Sequence, residues 1–391
     1  MKAIMKLNTT KHFVLAGIII FSFFVSGCKQ SSKSVALSRI PVIYSTDLYQ
    51  PPEDPDDHYD LATLSCLEEL EIKALIFDIS TSHRQPEEFG KTALDQIAKI
   101  TGQSPPPFKI GLREPLRSPD DKALDQPEEF QGGVELILST LEQSKEQVVM
   151  FLVGSCRDFA VAFNRNPDLL REKVKSVYIN AGNKTKEIQT EWNVKLDPNA
   201  YVALITSGLP IYWCPCFGDE YKLCSPEDVS AGKAFGTHFF VANQAELLAS
   251  AHAVVKNYFD YALSQSKEEP LSFLDREPQP LPESGRSMWC TGPFLHAAGR
   301  EIYRTQDRRW IACTPENAKA LGIEGSATEV FHFEPINNFQ YRMKNEDGKL
   351  LPEFYDADPA ETSTSIQVFR YTHPDFNTIM ISVLSGLLET L

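Results

Sequence analysis

The sequence is poor in positive charge. Its 391 residues contain 38 lysines and arginines against 53 aspartates and glutamates, a formal net charge of −15 at pH 7. A protein dedicated to binding a nucleic acid polymer needs a basic face that neutralises phosphates, so the charge balance excludes that class. It also disfavours electrostatic docking on an anionic membrane. The composition is otherwise mixed, which argues against a wholly disordered chain.

The N-terminus lacks an apolar run of the roughly 20 residues that a membrane-spanning helix needs. Its apolar run covers residues 13–25, about 13 residues, and follows three lysines within residues 1–11. The run ends in the letters VSGC, where small residues precede Cys28. A basic start, a short apolar core and such a cysteine indicate the export signal of a bacterial lipoprotein rather than an uncleaved membrane helix.

We therefore expect residues 1–27 to be a signal peptide and residues 28–38 to be a lipidated cysteine with a polar tether. The mature chain would have 364 residues and a net charge near −18, because the removed segment carries three lysines. Acyl chains on Cys28 would hold the protein on a membrane while the globular part stays in water. These features predict an exported lipoprotein, periplasmic or at the cell surface.

Cysteines that could form a complete set of disulfides are also lacking. Seven remain after Cys28, and an odd number cannot all pair. Cys214, Cys216 and Cys224 have neither the C-x-x-C spacing nor the nearby histidine of a usual zinc site. We interpret the seven as free thiols that pack as small apolar groups, with a metal site at the three clustered cysteines as the alternative.

The mature length exceeds the roughly 250–300 residues at which single cores stop growing, so we expect one elaborated domain or a large and a small one. Short apolar runs alternate with segments whose apolar residues recur at helical spacing. The predicted strands are residues 40–45, 72–79, 148–153, 174–179 and 210–214, and the predicted helices are 60–70, 89–100, 133–143, 158–163 and 199–207. This alternation predicts an α/β fold, a mostly parallel sheet with helices on both faces.

The C-terminal part has a different pattern. Residues 265–287 are rich in proline and glutamate and are predicted to form a loop. Strand-like runs then follow within residues 328–371. We predict a main domain over residues 39–327, a small β-rich insertion over 328–375, and a C-terminal helix of the main domain over 376–391.

Aspartates crowd the end of the first predicted strand. Asp47 follows the strand directly, and Asp56, Asp57 and Asp60 open the next helix. Ligands of such sheets bind at the carboxyl ends of the strands. Carboxylates this close repel one another, and a hard cation such as Ca²⁺ or Mg²⁺ would hold them together. The alternative is helix N-capping, which accounts for one or two of the four.

These residues resemble a known family. Asp47 with Asp56-Asp57, after the strand PVIYSTD, is similar to the signature of the inosine-uridine preferring nucleoside hydrolases. Residues 148–163 and 166–183 resemble the family's segments in the same order. Glu191-Trp192-Asn193 with Asp197-Pro198-Asn199-Ala200 resembles its E-F-N…D-P-E-A, which is the most specific match. The resemblance covers about residues 40–220 and implies a nucleoside-hydrolase-like, Rossmann-like fold.

The resemblance implies an enzyme that splits the N-glycosidic bond of ribonucleosides or a related ribosyl compound with the help of Ca²⁺. Asp47 and Asp57 would be metal ligands, together with the backbone carbonyl of Val153, and Asp47 would also deprotonate the attacking water. The implied contacts to the small-molecule substrate come from the following residues: Asp56, Asn183, Glu191, Trp192 and Asn193. Self-association is implied as well, since family members often form homo-oligomers.

The chemistry is consistent with these residue types. The transition state of such a cleavage resembles an oxocarbenium ion, which nearby carboxylates stabilise. A metal-bound water is easier to deprotonate, and a neighbouring aspartate can take its proton. Amide and acid side chains are natural partners of sugar hydroxyls. The alternative for Glu191-Trp192-Asn193 is a solvated loop with one buried aromatic residue.

The sequence also departs from the family's pattern. Ser45 replaces the first aspartate of Asp-x-Asp, and Arg157-Asp158 replaces a Thr-Asn pair after the central strand. The family's late His-Asp pair has its best local candidate in His296, yet Ala297 stands where the metal-binding aspartate should be. Asp60 would then have to compensate as a metal ligand.

The departures leave two questions open. The acid for the leaving group is His296, His58 or His83, with a helix-start histidine of no chemical role as the alternative for His296. The alternative function is a non-catalytic lipoprotein that binds a nucleoside or sugar through a degraded metal site. A weaker alternative is an interaction module that uses residues 328–371, but it leaves the aspartates unexplained.

Overall fold

The computed structural model describes residues 39–48, 55–79, 86–184, 191–218, 223–323, 325–337, 339–346, 349–356 and 363–391. The predicted signal peptide, Cys28, the tether and His83 lie outside these residues. Within the described ranges, no helix combines the length and the apolar character that a membrane crossing requires.

Short strands and helices alternate along the first half of the chain, as the apolar pattern predicts. The strands are β1 (Ile40–Thr46), β2 (Leu70–Phe77), β3 (Phe108–Ile110), β4 (Val148–Leu152), β5 (Val174–Ile179), β6 (Ile211–Trp213), β7 (Phe239–Val241), β8 (Arg286–Met288), β9 (Glu301–Arg304), β10 (Trp310–Cys313), β11 (Phe331–Asn337), β12 (Phe339–Glu346), β13 (Lys349–Asp356) and β14 (Ser363–Tyr371).

Several helices begin with a capping residue followed by proline, a sequence that favours a helix start. The helices are α1 (Asp56–Ser65), α2 (Pro86–Thr101), α3 (Gly132–Gln143), α4 (Arg157–Arg165), α5 (Pro167–Lys173), α6 (Trp192–Leu196), α7 (Pro198–Ile205), α8 (Pro226–Ser230), α9 (Gln244–Leu247), α10 (Ala253–Leu263), α11 (Pro270–Phe273), α12 (Thr291–Ala297), α13 (Pro315–Ala320) and α14 (Phe376–Leu388).

Eight strands form one sheet in the order β11-β14-β6-β5-β4-β1-β2-β3. All neighbouring pairs are parallel except β11 with β14. The α/β fold with a mostly parallel sheet is therefore confirmed. From β1 the chain adds β2 and β3 on one side and then returns to add β4 on the other. The carboxyl ends of β1 and β4 thus lie at the switch point of the sheet, where ligands of such folds bind.

The sheet is buried on both faces. Val42 and Tyr44 of β1 belong to the hydrophobic cluster that α1, α10, α12 and α14 complete on one face. Ile43 between them belongs to the cluster of the other face, together with residues of α3, α4 and α7. A strand covered on both sides needs apolar residues at nearly every position, which explains the continuous apolar runs of the sequence.

The C-terminal strands are divided between two sheets. β11 and β14 extend the main sheet, and only β12 and β13 form a separate antiparallel pair. The expected loop over residues 265–287 is wrong in two places. Pro270–Phe273 forms α11, which Glu269 caps. Arg286–Met288 forms β8, which pairs antiparallel with β7.

A buried arginine joins the loops at the carboxyl edge of the sheet. Arg157, at the start of α4, is 1 % exposed, and its Nε donates to Asp197 at 3.0 Å. Its other donors bind the backbone carbonyls of Ile79 at 2.7 Å, Leu112 at 2.9 Å and Leu196 at 3.0 Å. Ile79 lies after β2, Leu112 lies after β3, and Leu196 is the last residue of α6. One side chain therefore holds three loops in place. Arg157, which departs from the family's pattern, therefore has a structural role: it joins these loops.

Replacing Arg157 by leucine should destabilise the fold strongly. The change leaves Asp197 buried without its cation, and breaking a buried pair in this way costs about 3–5 kcal/mol. Urea unfolding monitored by circular dichroism measures the loss. Arg171→Leu is the matched control, because Arg171 pairs with Asp168 on the surface. Equal effects of the two substitutions would show that the buried contacts of Arg157 contribute nothing special.

Asp158 gives the fold a pH dependence. Its carboxylate accepts the N–H of Leu112, and burial, reinforced by the charge of Asp78, raises its pKa to about 7. Between pH 4 and pH 7 the folded state therefore holds a proton that the unfolded state has lost. Stability must fall as the pH rises through this window.

The unfolding free energy should accordingly decrease from pH 5 to pH 8, and Asp158→Asn should flatten that decrease because asparagine does not titrate. Urea unfolding of both proteins at the two pH values tests this. Asp168→Asn, at an exposed position, serves as the control and should keep the full slope. A slope that Asp158→Asn leaves unchanged would assign the pH dependence to other groups.

Candidate active site

The predicted aspartates meet at the switch point of the sheet. Asp47 directly follows β1, and α1 begins at Asp56, with Asp57 and Asp60 on its first turns. Asp57 is 6 % exposed and Asp60 is 3 % exposed. The N-cap position is Pro55, and no side chain caps α1. Asp56 and Asp57 lie in the first turn, where negative charge is favoured, so the alternative accounts for these two and leaves Asp47 and Asp60 unexplained.

Asp57 is in hydrogen-bond contact with Asp47. Burial raises the pKa of Asp57 well above its ordinary value, and the neighbouring charge of Asp47, their hydrogen bond and the charge of Asp56 raise it further. A contact between two carboxyl groups requires a shared proton or a cation, because two bare carboxylates repel each other. The negative charge of Asp47, Asp56 and Asp57 is therefore concentrated at the start of α1, where a proton or a cation must compensate it.

The donor type fits a hard divalent cation, since half-buried Asp47 and buried Asp57 are neighbours that offer only oxygen. Among the described residues, however, no three His, Cys, Asp or Glu side chains already face one cation-sized point. The predicted carbonyl ligand of Val153 accepts the side-chain N–H of Asn193 at 3.0 Å. The Val153 carbonyl oxygen therefore has only its second lone pair left for a metal ion.

Glu191 and Asn193 fix the loop that follows β5. The Glu191 carboxylate, 8 % exposed, accepts the backbone N–H groups of Gly182 at 2.9 Å, Asn193 at 2.9 Å and Val194 at 3.3 Å. The Asn193 amide also donates to the carbonyl of Asn180 at 3.0 Å. The structure thus gives both residues a local role, and their contact with a sugar stays a prediction. Trp192 is 66 % exposed, so it is not the buried aromatic residue of the alternative interpretation.

An aromatic cluster that we did not predict lies beside this edge. Phe217 pairs with Asn183 in an isolated bridge after β6, and its ring centroid is 4.6 Å from that of His238. His238 is 5.6 Å from Trp289, which directly follows β8. His238 Nε2 contacts the Ser287 hydroxyl at 2.9 Å. Its Nδ1 and the Trp289 indole nitrogen are buried without a hydrogen-bond partner among the described residues.

Two of the three histidines that we predicted as candidate acids, His296 and His58, lie within the described residues. His296 contacts the Tyr178 hydroxyl through Nδ1 at 2.7 Å and packs against Tyr212 and Phe333. Burial lowers its pKa to about 4. His58 lies inside α1 against Tyr258, and burial likewise lowers its pKa to about 4. Both rings are therefore neutral at pH 7.

Cys290 is the residue that joins α12 to the aspartates. It lies 4 % exposed at the N-cap position of α12 and is in hydrogen-bond contact with Asp60. Asp57 and Asp56 are also close enough to act on it electrostatically. His296 follows six residues later, roughly 9 Å further along the helix axis. Cys290 thus lies beside the aspartates. No disulfide joins the seven described cysteines, as expected.

The fold is that of an α/β protein with a mostly parallel sheet, and buried carboxylates lie at its switch point, where such proteins bind their ligands. The sequence profile of the inosine-uridine preferring nucleoside hydrolases matches residues 72–276, just over half of the chain. The chain belongs to this family. The matched part runs from β2 to just beyond α11, so Asp47, Asp57 and Cys290 lie outside it.

Two similar proteins agree with this assignment. The pyrimidine-specific ribonucleoside hydrolase RihA of Citrobacter koseri is 22 % identical over 304 residues, which cover 73 % of this chain and 87 % of that protein. A solved plant nucleoside hydrolase, the PpNRh1 enzyme, is 14 % identical and has a TM-score of 0.52. The superposition covers 90 % of this chain and 99 % of the plant protein. The structural likeness supports the fold.

Glu191→Ala should destabilise the protein by about 1–3 kcal/mol, because three backbone N–H groups lose their acceptor in a buried place. Urea unfolding measures the change. Glu269→Ala is the matched control: Glu269 also caps a helix through two N–H groups, but on the surface. Its removal should cost clearly less, since water replaces the lost bonds. Equal losses would mean that the Glu191 cap is no more important than a surface cap.

Proposed function

We propose that the chain hydrolyses the N-glycosidic bond of ribonucleosides or of a related ribosyl compound. The observation that supports this most directly is the contact of half-buried Asp47 with buried Asp57 at the switch point of the sheet. A member of a nucleoside hydrolase family with an acid pair at this position has both the scaffold and the charge that such a cleavage uses.

Asp47 is the proposed base that takes a proton from the attacking water. Asp56, half-buried in the first turn of α1, would accept hydrogen bonds from ribose hydroxyls. Asp47 and Asp57 would hold a divalent cation, for which calcium is the expectation from the resemblance. A bound cation supplies a water that loses its proton more readily than bulk water does.

The aromatic cluster of Phe217, His238 and Trp289 is the proposed contact for the leaving base. The buried nitrogens of this cluster, His238 Nδ1 and Trp289 Nε1, can form hydrogen bonds with a heterocycle. Burial lowers the pKa of His238 to about 4, so the ring acts there as a neutral partner. Asn183, Glu191, Trp192 and Asn193 stay proposed as the residues beside the sugar. Anchoring through Cys28 and self-association are proposals as well.

The test is release of ribose from a panel of purine and pyrimidine ribonucleosides by the full chain, with divalent cations added one at a time. Asp47→Asn should lower kcat by about 10²–10⁴-fold with an unchanged fold, as expected for the loss of a general base. Asp168→Asn, on the surface, should keep full activity. No release from any nucleoside, together with no effect of Asp47→Asn, would end the proposal.

A non-catalytic binding protein is the second candidate. The observation that favours it is Ala297, which follows His296 where the resemblance implies a metal-binding aspartate. Isothermal calorimetry with ribose and nucleosides separates the two candidates. Heat of binding without any ribose release supports the binding protein, whereas turnover excludes it.

A further inference from the structure

The aromatic cluster that is the proposed contact for the leaving base is a poor source of protons. His238 Nε2 contacts the Ser287 hydroxyl at 2.9 Å, and its ring packs between Phe217 and Trp289. Burial lowers the pKa of His238 to about 4, so the ring is protonated in only roughly one chain in a thousand at pH 7. Hydroxyl, indole and neutral imidazole groups are weak acids. The cluster therefore does not supply the proton that a neutral base needs when it leaves.

The two described histidines that we predicted as acids do not replace it. His296 contacts the Tyr178 hydroxyl at 2.7 Å, and His58 lies inside α1 against Tyr258. Burial lowers the pKa of each to about 4, so both are neutral at pH 7. The third candidate, His83, lies outside the described residues. Neither His296 nor His58 thus offers an imidazolium to the leaving base.

The charge of the base decides whether an acid is needed at all. When the N-glycosidic bond breaks, its electron pair stays on the nitrogen of the base. A neutral base then becomes an anion unless an acid protonates it, whereas a cationic base leaves as a neutral molecule. Water adds to C1′ of the ribosyl group, and Asp47 takes the proton of that water in the proposed function. Atoms and charges balance, and no oxidant or reductant takes part.

The cluster also suits a positively charged ring. Phe217 and Trp289 are half-buried, so part of each ring reaches solvent. Their ring centroids lie 6.1 Å apart, and their planes cross at 87°. Aromatic faces attract cations, and tryptophan does so most strongly. A cationic heterocycle therefore finds an attractive partner in rings that have no acid to offer.

The charges around the cluster favour a cation as well. The chain has a formal net charge of −15, and Asp47, Asp56 and Asp57 concentrate part of the negative charge at the start of α1. Arg286 of β8 lies on the opposite face of the strand from Ser287, because successive side chains of a strand alternate. A small cation is therefore attracted to this edge of the sheet.

We infer that the aromatic cluster binds a positively charged nitrogen heterocycle, and that the chain cleaves ribosyl compounds whose base is cationic in preference to their neutral counterparts. An N-ribosylpyridinium and an N7-alkylated purine ribonucleoside are compounds of this class. The inference rests on the proposed function for the cleavage step and on the cluster for the binding step, so the two steps are tested separately.

Binding is measured by calorimetry of the full chain with 1-methylnicotinamide, a cationic ring, and with nicotinamide, its neutral counterpart. The cation should bind about tenfold more tightly. Trp289→Leu should remove the difference, because the ring that attracts the cation is lost. Trp310→Leu is the matched control, since Trp310 is also half-buried but lies on β10 beside Arg304. Circular dichroism checks that both variants fold, and the unchanged chain decides the inference even if a variant does not.

Cleavage is measured as ribose release from two matched pairs of compounds. One pair is 7-methylguanosine, at a pH where it is cationic, and guanosine; the other is N-ribosylnicotinamide and its reduced, neutral form. In each pair kcat/KM should be about 10²-fold or more higher for the cation, since an acid that contributes this much is missing for the neutral compound. The preference should also be no smaller than the ratio of the uncatalysed rates, because an acid would accelerate the neutral compound alone.

Two results would overturn the inference. One is equal affinity for 1-methylnicotinamide and nicotinamide. The other is cleavage of guanosine as readily as 7-methylguanosine, which would mean that an acid from elsewhere in the chain protonates the base, and which would keep the hydrolase. Ribose release from none of the compounds, with tighter binding of the cation retained, would keep the cation-binding cluster and refute the hydrolase.

Discussion

The buried guanidinium of Arg157 is the constraint on which the carboxyl edge of the sheet depends. A cation taken out of water must have its donors satisfied, and Arg157 finds its partners in Asp197 and in carbonyls of three separate loops. The loops can then occupy only positions that keep those oxygens in reach. Asp197 in turn caps α7 and accepts the N–H of Leu116. The edge that carries the candidate site is thus held by one buried ion pair.

Much of the fold could be predicted because its signals are local. Each signal occupies only a few consecutive residues, as in the apolar run Val148–Leu152 or the helix start Asp197-Pro198. The aspartates could be found for the same reason, since Asp47 and Asp57 flank one loop. The structural roles of Arg157 and Glu191 could not be predicted, because a sequence does not show whether an arginine or a glutamate is buried.

The contacts that were missed join distant segments. Phe217, His238 and Trp289 come together only because β7 pairs with β8 beside the end of β6. Cys290 reaches Asp60 because α12 packs on α1, and no sequence pattern links these two residues. The family profile likewise matches the segment between the aspartates and Cys290. Asp47, Asp57 and Cys290 therefore lie outside the matched part, whereas Glu191, Phe217 and His238 lie within it.

The position of β14 has a consequence for how the chain folds. β6 pairs with β5 on one side, but its partner on the other side is β14, where Ile211 meets Ile366. Until the last part of the chain has been synthesised, β6 remains an open edge whose N–H and C=O groups can pair with another molecule. Contacts between such distant segments also form slowly. A chain that ends before β14 would consequently keep this edge of the sheet exposed, even with the other strands in place.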